Sequence, residues 1–160
     1  MSFRKAVEDA PPPVNGAYRN GIQVLEGRHR PHVRCGDARR LKGSIDLDRA
    51  LAQEPGYANA PRWDYGIGYS PRQGPEQAVW IEVHSATTSE VSAVLRKLQW
   101  LRDWLNGNAE QLLQVTNAAD RNLRFVWIAS DKVHVLKNSP QARRLAASGI
   151  GKARRHLSLP

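Results

Sequence analysis

Two acidic side chains on consecutive predicted strands are the residues best suited to carry chemistry. Residues 62–69 alternate between large and small side chains and predict a strand that contains Asp64. Residues 77–84 predict the next strand, on which Glu82 and His84 share a face. If the strands are neighbours, the two carboxylates converge. Such a pair binds Mg²⁺ or Mn²⁺, which polarises a phosphodiester and activates water for hydrolysis.

The alternation of the first strand predicts space above its acid. Asp64 shares a face with two residues that have no side chain, Gly66 and Gly68. The other face is expected to carry four large side chains: Trp63, Tyr65, Ile67 and Tyr69.

An ordinary structural role for the same residues is a real alternative. Asp64 could cap a turn, and Glu82 and His84 could form a solvated cross-strand ion pair worth under about 1 kcal/mol. The neighbours of Glu82 are apolar, however, and burial of an uncompensated acid in a strand costs several kcal/mol of folding free energy. We therefore expect a positive group, either a metal or an arginine, beside these acids.

The pattern resembles the PD-(D/E)xK nuclease superfamily, which has the restriction-endonuclease-like fold. The matching residues are Pro61-Arg62-Trp63-Asp64, the segment 78–84 (AVWIEVH) and the long predicted helix after it. The resemblance covers residues 45–136 and implies an αβββαβ core. It also implies that Asp64 and Glu82 hold the metal, while the residue two positions after Glu82 positions the attacking water.

His84 occupies the position that the resemblance assigns to lysine. Lysine titrates near about 10.4 and histidine near about 6.5, so His84 is cationic at neutral pH only if nearby carboxylates raise its pKa. It could otherwise act as a neutral base or a third metal ligand. The resemblance suggests two further residues: Lys97, on the next helix, as the missing cation, and Glu54 as an additional acid.

The remaining periodicity predicts an α/β (α+β) protein with a mixed β-sheet flanked by helices. Thr87-x-x-Glu90 has the form of a capping box, and Ser139-Pro140 has the form of a helix start. Helices are predicted at 45–54, 87–107, 109–118 and 139–149. Further strands are predicted at 123–129 and 133–136, paired as a hairpin across Ser130-Asp131.

Length and composition predict one domain without a membrane span. The chain has 160 residues and 41% hydrophobic content, enough for a single core. Residues 1–20 contain three consecutive prolines and predict an irregular arm, followed by a nuclease-like domain at 21–160 that ends in a basic helix and tail. The single cysteine, Cys35, allows no internal disulfide, and we expect a cytoplasmic protein.

The charge distribution favours a nucleic-acid partner. The formal net charge is +9, and the chain after Asp131 contains no acid. We expect four C-terminal residues to contact phosphates: Arg143, Arg144, Arg154 and Arg155. A second basic cluster lies upstream: Arg28, Arg30, Arg34, Arg39, Arg40 and Lys42.

These observations support a metal-dependent nuclease-like domain that uses Mg²⁺ or Mn²⁺, with Asp64, Glu82, His84 and Lys97 as its catalytic set. The alternative is a catalytically inactive relative that binds nucleic acid or a protein, including a second copy as a homodimer. In a third hypothesis the protein is an interaction module whose cations are only surface charge.

His29-x-x-His32-x-x-Cys35 has metal-ligand residue types but lacks the spacing of a zinc site.

Overall fold

A mixed β-sheet of four strands lies at the centre of the computed structural model, which describes residues 1–160. The strands of the chain are β1 (Val33–Cys35), β2 (Leu41–Asp46), β3 (Tyr65–Tyr69), β4 (Gln77–Thr87), β5 (Phe125–His134) and β6 (Leu157–Leu159). The helices are α1 (Phe3–Glu8), α2 (Leu47–Ala52), α3 (Val91–Asn108), α4 (Glu110–Asn117), α5 (Arg121–Arg124) and α6 (Pro140–Ser148). The predicted α/β class, with a mixed sheet flanked by helices, is confirmed.

The central sheet has the strand order β2-β3-β4-β5. β2, β3 and β4 form an antiparallel meander, whereas β5 runs parallel to β4. Parallel neighbours need a long crossover connection, and α3, α4 and α5 provide it. β1 and β6 form a separate two-stranded parallel sheet.

Each face of the central sheet packs against its own hydrophobic cluster. One cluster joins Trp80 and Trp127 to the helices, including Leu98 and Leu101 of α3. The other contains the alternate residues of β3 and β4, such as Ile67 and Ile81, together with both strands of the small sheet. The predicted alternation is confirmed within these strands because successive side chains point to opposite faces.

Three details on the first face differ from expectation. Trp63 was predicted to share a face with Tyr65, yet it belongs to the helix-side cluster because β3 begins only at Tyr65. The space beside the glycines is also filled. A Cβ atom at Gly66 would lie 2.7 Å from Trp80, and one at Gly68 would lie 2.5 Å from the Phe3 ring. These glycines admit two large aromatic side chains rather than leaving room above Asp64.

The expectation of an irregular N-terminal arm is wrong over Phe3–Glu8, which forms α1. The Ser2 side chain caps this helix by accepting a hydrogen bond from the Lys5 amide. Phe3 and Val7 are fully buried in the main core, and the Phe3 amide donates to Glu76 Oε2 at 2.8 Å. Burial of these apolar side chains holds the segment in place. No local periodicity in the sequence predicts it.

The C-terminal half contains one accurate prediction and two errors. α6 begins and ends as predicted, with Ser139 accepting from the Ala142 amide and Gly149 in the left-handed region at φ 98°. The predicted hairpin across Ser130-Asp131 is wrong, because β5 is one strand and its last residues pair with β4. The prediction of a helix followed only by a basic tail is also wrong, because Leu157–Leu159 forms the strand β6 and pairs with β1.

No helix in the structure combines the length and the apolarity that crossing a membrane requires.

We predict that Gly68→Ala destabilises the protein by about 1–3 kcal/mol, because the added methyl group must displace the rigid Phe3 ring. Gly56→Ala is the matched control, since nothing lies within 4 Å of its Cβ position, and it is expected to change stability by no more than about 0.5 kcal/mol. Urea denaturation measures both values. Equal stabilities of the two variants would contradict the packing described here.

Candidate functional site

Asp64 and Glu82 face each other across β3 and β4. Tyr65 pairs with Ile81 at the end of the β3–β4 ladder, so Asp64, just before β3, lies beside Glu82, the residue after Ile81. The Asp64 amide donates to Glu82 Oε2 at 3.0 Å, and the Val83 amide donates to Asp64 Oδ2 at 2.9 Å. The structure therefore brings the two acids together, each accepting a hydrogen bond from the backbone beside the other.

The backbone of Asp64 also connects this pair to the start of α2. Its carbonyl oxygen accepts from the amides of Leu47 at 2.9 Å and Asp48 at 3.3 Å. Asp46 caps the same helix, because its Oδ1 accepts from the Arg49 amide at 2.8 Å. Two more acids are thereby brought beside Asp64.

Glu82 is fully buried, and its positive partner is Lys97. Exposure of Glu82 is 0%, and the Lys97 ammonium on α3 contacts Glu82 Oε1. The expected positive group is therefore a lysine from the following helix and not an arginine. The helical stripe of α3 places Lys97 toward the sheet, between turns whose apolar residues enter the core.

Burial dominates the titration of these acids. It raises the pKa of Glu82 to about 8, helped by the charge of Asp64 and opposed by Lys97. Burial also raises the pKa of Asp64, opposed by its hydrogen bond from the Val83 amide. Burial alone would lower the pKa of Lys97, but the negative charges of Glu82 and Asp64 raise it. Lys97 therefore stays cationic beside two carboxyl groups that bind protons unusually well.

His84 is held by a different acid. Its Nε2 lies 2.8 Å from Glu90 Oε2. The predicted capping box is wrong, because Glu90 makes this contact and no side chain caps α3, whose start follows a single turn at Thr88–Glu90. His84 borders the same cleft as Asp64, but the residue that contacts Glu82 is Lys97.

Asp64 and His84 border an open cleft of about 390 Å³, whereas Glu82 and Lys97 are not among the residues that line it. Sequence reasoning missed three of its acids: Asp46 and Asp48, at the junction of β2 and α2, and Glu26, ahead of β1. The only local signal was the helix start, which marks Asp46 as a cap. Asp48 is paired with Arg62 at 3.0 Å, and burial raises the pKa of Asp46. Glu54, suggested as the additional acid, lies past the other end of α2 and does not border the cleft.

None of the four predicted phosphate contacts borders this cleft. Arg143 and Arg144 are exposed on α6, and Arg144 Nη1 donates to Ser92 Oγ at 3.0 Å. The backbone of Arg154 forms a bridge beside β5, at Ile128. Arg155 is exposed on the segment before β6. The structure therefore spreads these cations over surfaces other than the cleft.

The His29, His32 and Cys35 side chains have separate partners. His29 Nδ1 lies 2.9 Å from the Tyr65 hydroxyl, and His32 Nδ1 lies 2.6 Å from the Arg155 carbonyl. The Cys35 thiol donates to the Asp37 carbonyl. Nowhere in the protein are three or more His, Cys, Asp or Glu side chains grouped as a ready-made metal site.

The donors of the cleft nonetheless have the chemistry that a hard cation requires. Asp64 Oδ1 makes no hydrogen bond within the protein, and it is accessible to solvent. This oxygen is therefore free to coordinate an ion. Both oxygens of Glu82 already have a donor and the side chain is fully buried, so this carboxylate would contact an ion only by sharing one of those oxygens. Mg²⁺ commonly retains several waters and takes only one or two carboxylates, so this set fits.

No family model matches this chain, and searches of curated proteins and of solved structures find no match either. The geometry and charge of the cleft are therefore the basis for assigning a function.

We predict that Glu82 makes the metal-free protein lose stability as pH rises. The pKa of Glu82 is 4.5 in the unfolded chain and about 8 in the folded protein. Between these two pH values the folded protein therefore binds more protons than the unfolded chain. The stability that protonation of Glu82 contributes to the folded protein is fully present below pH 4.5 and is lost as pH rises through about 8. Glu82→Gln removes this titration.

Urea denaturation in EDTA at about pH 5 and pH 8 measures the effect. The wild type should lose about 1 kcal/mol or more relative to Glu82→Gln over this interval. Glu54→Gln, outside the cleft, should follow the wild type. Parallel pH dependence in wild type and Glu82→Gln would show that burial does not control this carboxyl group.

Proposed function

We propose that this protein is a metal-dependent nuclease that hydrolyses nucleic-acid phosphodiesters in the cleft beside Asp64. The observation that carries the proposal is the buried Glu82 carboxylate, joined to Asp64 on one side and to Lys97 on the other. The meander β2-β3-β4 and the helical crossover to the parallel β5 support the PD-(D/E)xK resemblance, although α2 lies between β2 and β3 instead of before the meander.

A purely structural role explains this arrangement poorly. A buried Glu–Lys pair is often no more stabilising than apolar side chains of the same size, because both charges lose their hydration. Here the pair lies beside a third ionisable group, Asp64, which borders an open cleft. Strongly perturbed acids that converge in a cleft are typical of catalytic or metal-binding sites.

Asp64 and Glu82 would hold Mg²⁺ or Mn²⁺ in this proposal, with Asp64 Oδ1 as the direct ligand. The ion supplies charge that stabilises the phosphate and lowers the pKa of a water molecule. Asp46 and Asp48 add negative charge to the same cleft. An acidic cleft repels phosphates. A bound cation would neutralise part of this negative charge and so allow a polyanionic substrate to approach.

Lys97 takes the role that the resemblance gives to the lysine after Glu82. Its ammonium is already beside Glu82 and stays charged, so it can position the attacking water. His84 is assigned to proton transfer. Glu90 engages Nε2, which leaves Nδ1 as the ring nitrogen free to exchange a proton with water or the leaving group.

A second candidate function is nucleic-acid binding without cleavage. It is favoured by His84 in the lysine position and by the lack of a preformed group of three metal ligands. In that case the formal net charge of +9 provides affinity for phosphates, and the acids serve only structure. A protein partner, including a second copy of the chain, is the remaining alternative.

We predict that the wild type binds Mn²⁺ in calorimetry and cleaves DNA or RNA only when Mg²⁺ or Mn²⁺ is added. Asp64→Asn should abolish the Mn²⁺ signal and lower cleavage by about 10²–10³-fold, because it removes one ligand charge. Asp103→Asn, an exposed carboxylate on α3, is the control and should behave as the wild type.

Two outcomes distinguish the alternatives. Binding that weakens steeply with salt, without cleavage or Mn²⁺ binding, would replace the nuclease by the non-catalytic binder. The absence of both cleavage and nucleic-acid binding, together with capture of a partner protein or self-association, would support the interaction module.

We predict that Lys97→Met lowers kcat by about 10²–10³-fold, because it removes the cation next to Glu82. Loss of the partner of a buried charge also destabilises the fold, so the double variant Glu82→Gln/Lys97→Met tests folding by restoring neutrality. Lys152→Met, at an exposed position, is the activity control. Unchanged kcat in a folded Lys97→Met protein would exclude Lys97 and leave His84 as the cation.

A further inference from the structure

Three arginines border a small pocket that is separate from the cleft. Arg102 comes from α3, and Arg121 and Arg124 are the two ends of α5. The pocket has a volume of about 200 Å³, and no acidic residue borders it. Its other lining residues are neutral: Phe125, Ala147, Ser148 and Gly149.

The positive charge of this pocket is not neutralised within the protein. None of its three arginines takes part in a salt bridge. Arg102 is partly buried, with its guanidinium carbon 5.1 Å from the centre of the Phe125 ring, and burial lowers its pKa. Such a desolvated cation without a counter-charge is costly, and a bound anion would offset that cost.

Helix capping explains part of this arrangement, but not all of it. Arg102 Nη2 donates to the Ser148 carbonyl at 2.5 Å, at the end of α6. Arg124 donates to the carbonyls of Asn117, the last residue of α4, and of Ala119. Arg121 makes no side-chain hydrogen bond and caps nothing. Because each guanidinium has five N–H donors, the three groups together retain many that face no protein acceptor.

We propose that this pocket binds a phosphate group. Planar guanidinium groups match phosphate oxygens in pairs, and three of them around a small cavity form an arrangement selective for a compact anion. The phosphate would belong either to a small phosphorylated compound or to a nucleic-acid backbone. Phe125 begins β5 and Ser130 of the cleft follows five residues later, so the pocket lies about 17 Å from the cleft and does not depend on hydrolysis.

Titration with inorganic phosphate in EDTA, followed by amide NMR, tests the site. The amides of Phe125, Ser148 and Gly149 should shift and saturate. Arg121→Gln, which removes no contact within the protein, should weaken phosphate binding by about tenfold or more. Arg96→Gln, at an exposed arginine on α3 that likewise makes no side-chain hydrogen bond, is the matched control and should bind as the wild type does. Unsaturable shifts, or equal affinities in both variants, would overturn the proposal.

A second titration with a short single-stranded DNA distinguishes the two sources of phosphate. Competition between the oligonucleotide and inorganic phosphate for the same amides assigns the pocket to a nucleic-acid backbone. Phosphate binding without competition assigns it to small phosphorylated compounds. Asp64→Asn should bind phosphate normally in either case, so a failure of the nuclease proposal and a failure of this one are separately visible.

Discussion

The burial of one carboxylate constrains much of this structure. Glu82 is inaccessible to water, so each of its oxygens needs a donor from the protein. The Asp64 amide supplies one and the Lys97 ammonium supplies the other, which joins β3 and α3 to β4. The Asp64 carbonyl in turn accepts from the start of α2. Four elements are therefore fixed around a single acidic group, and one residue of these contacts, Asp64, borders the cleft.

The distribution of charge follows from the direction of the strands. The acids of the cleft lie where β2 ends, at the start of α2, just before β3 and at Glu26 ahead of β1, while arginines border the other end of β5. A protein of formal net charge +9 therefore has an acidic cleft and, at a distance, an arginine pocket without acids. Cations and phosphates are expected to find different surfaces of the same sheet.

Local patterns predicted the elements whose burial is regular. The stripe of α3, the alternation in β4 and the boundaries of α6 all follow from residues close in sequence. The missed elements have another origin. α1 is held by the burial of Phe3 against Gly68, and β6 forms only because β1, far away in the chain, offers a partner. Neither contact leaves a periodic signal in the segment itself.

The sequence by itself determined that Asp64 and Glu82 lie close together, because a short connecting turn pairs the strand that follows Asp64 with the strand that contains Glu82. Only the tertiary structure decided which groups surround them. Lys97 meets Glu82 because a helical crossover returns α3 over the sheet, whereas His84, closer in sequence, is drawn away by Glu90. Asp46 and Asp48 join the cleft for the same reason: side chains distant along the chain become neighbours only when the sheet is assembled.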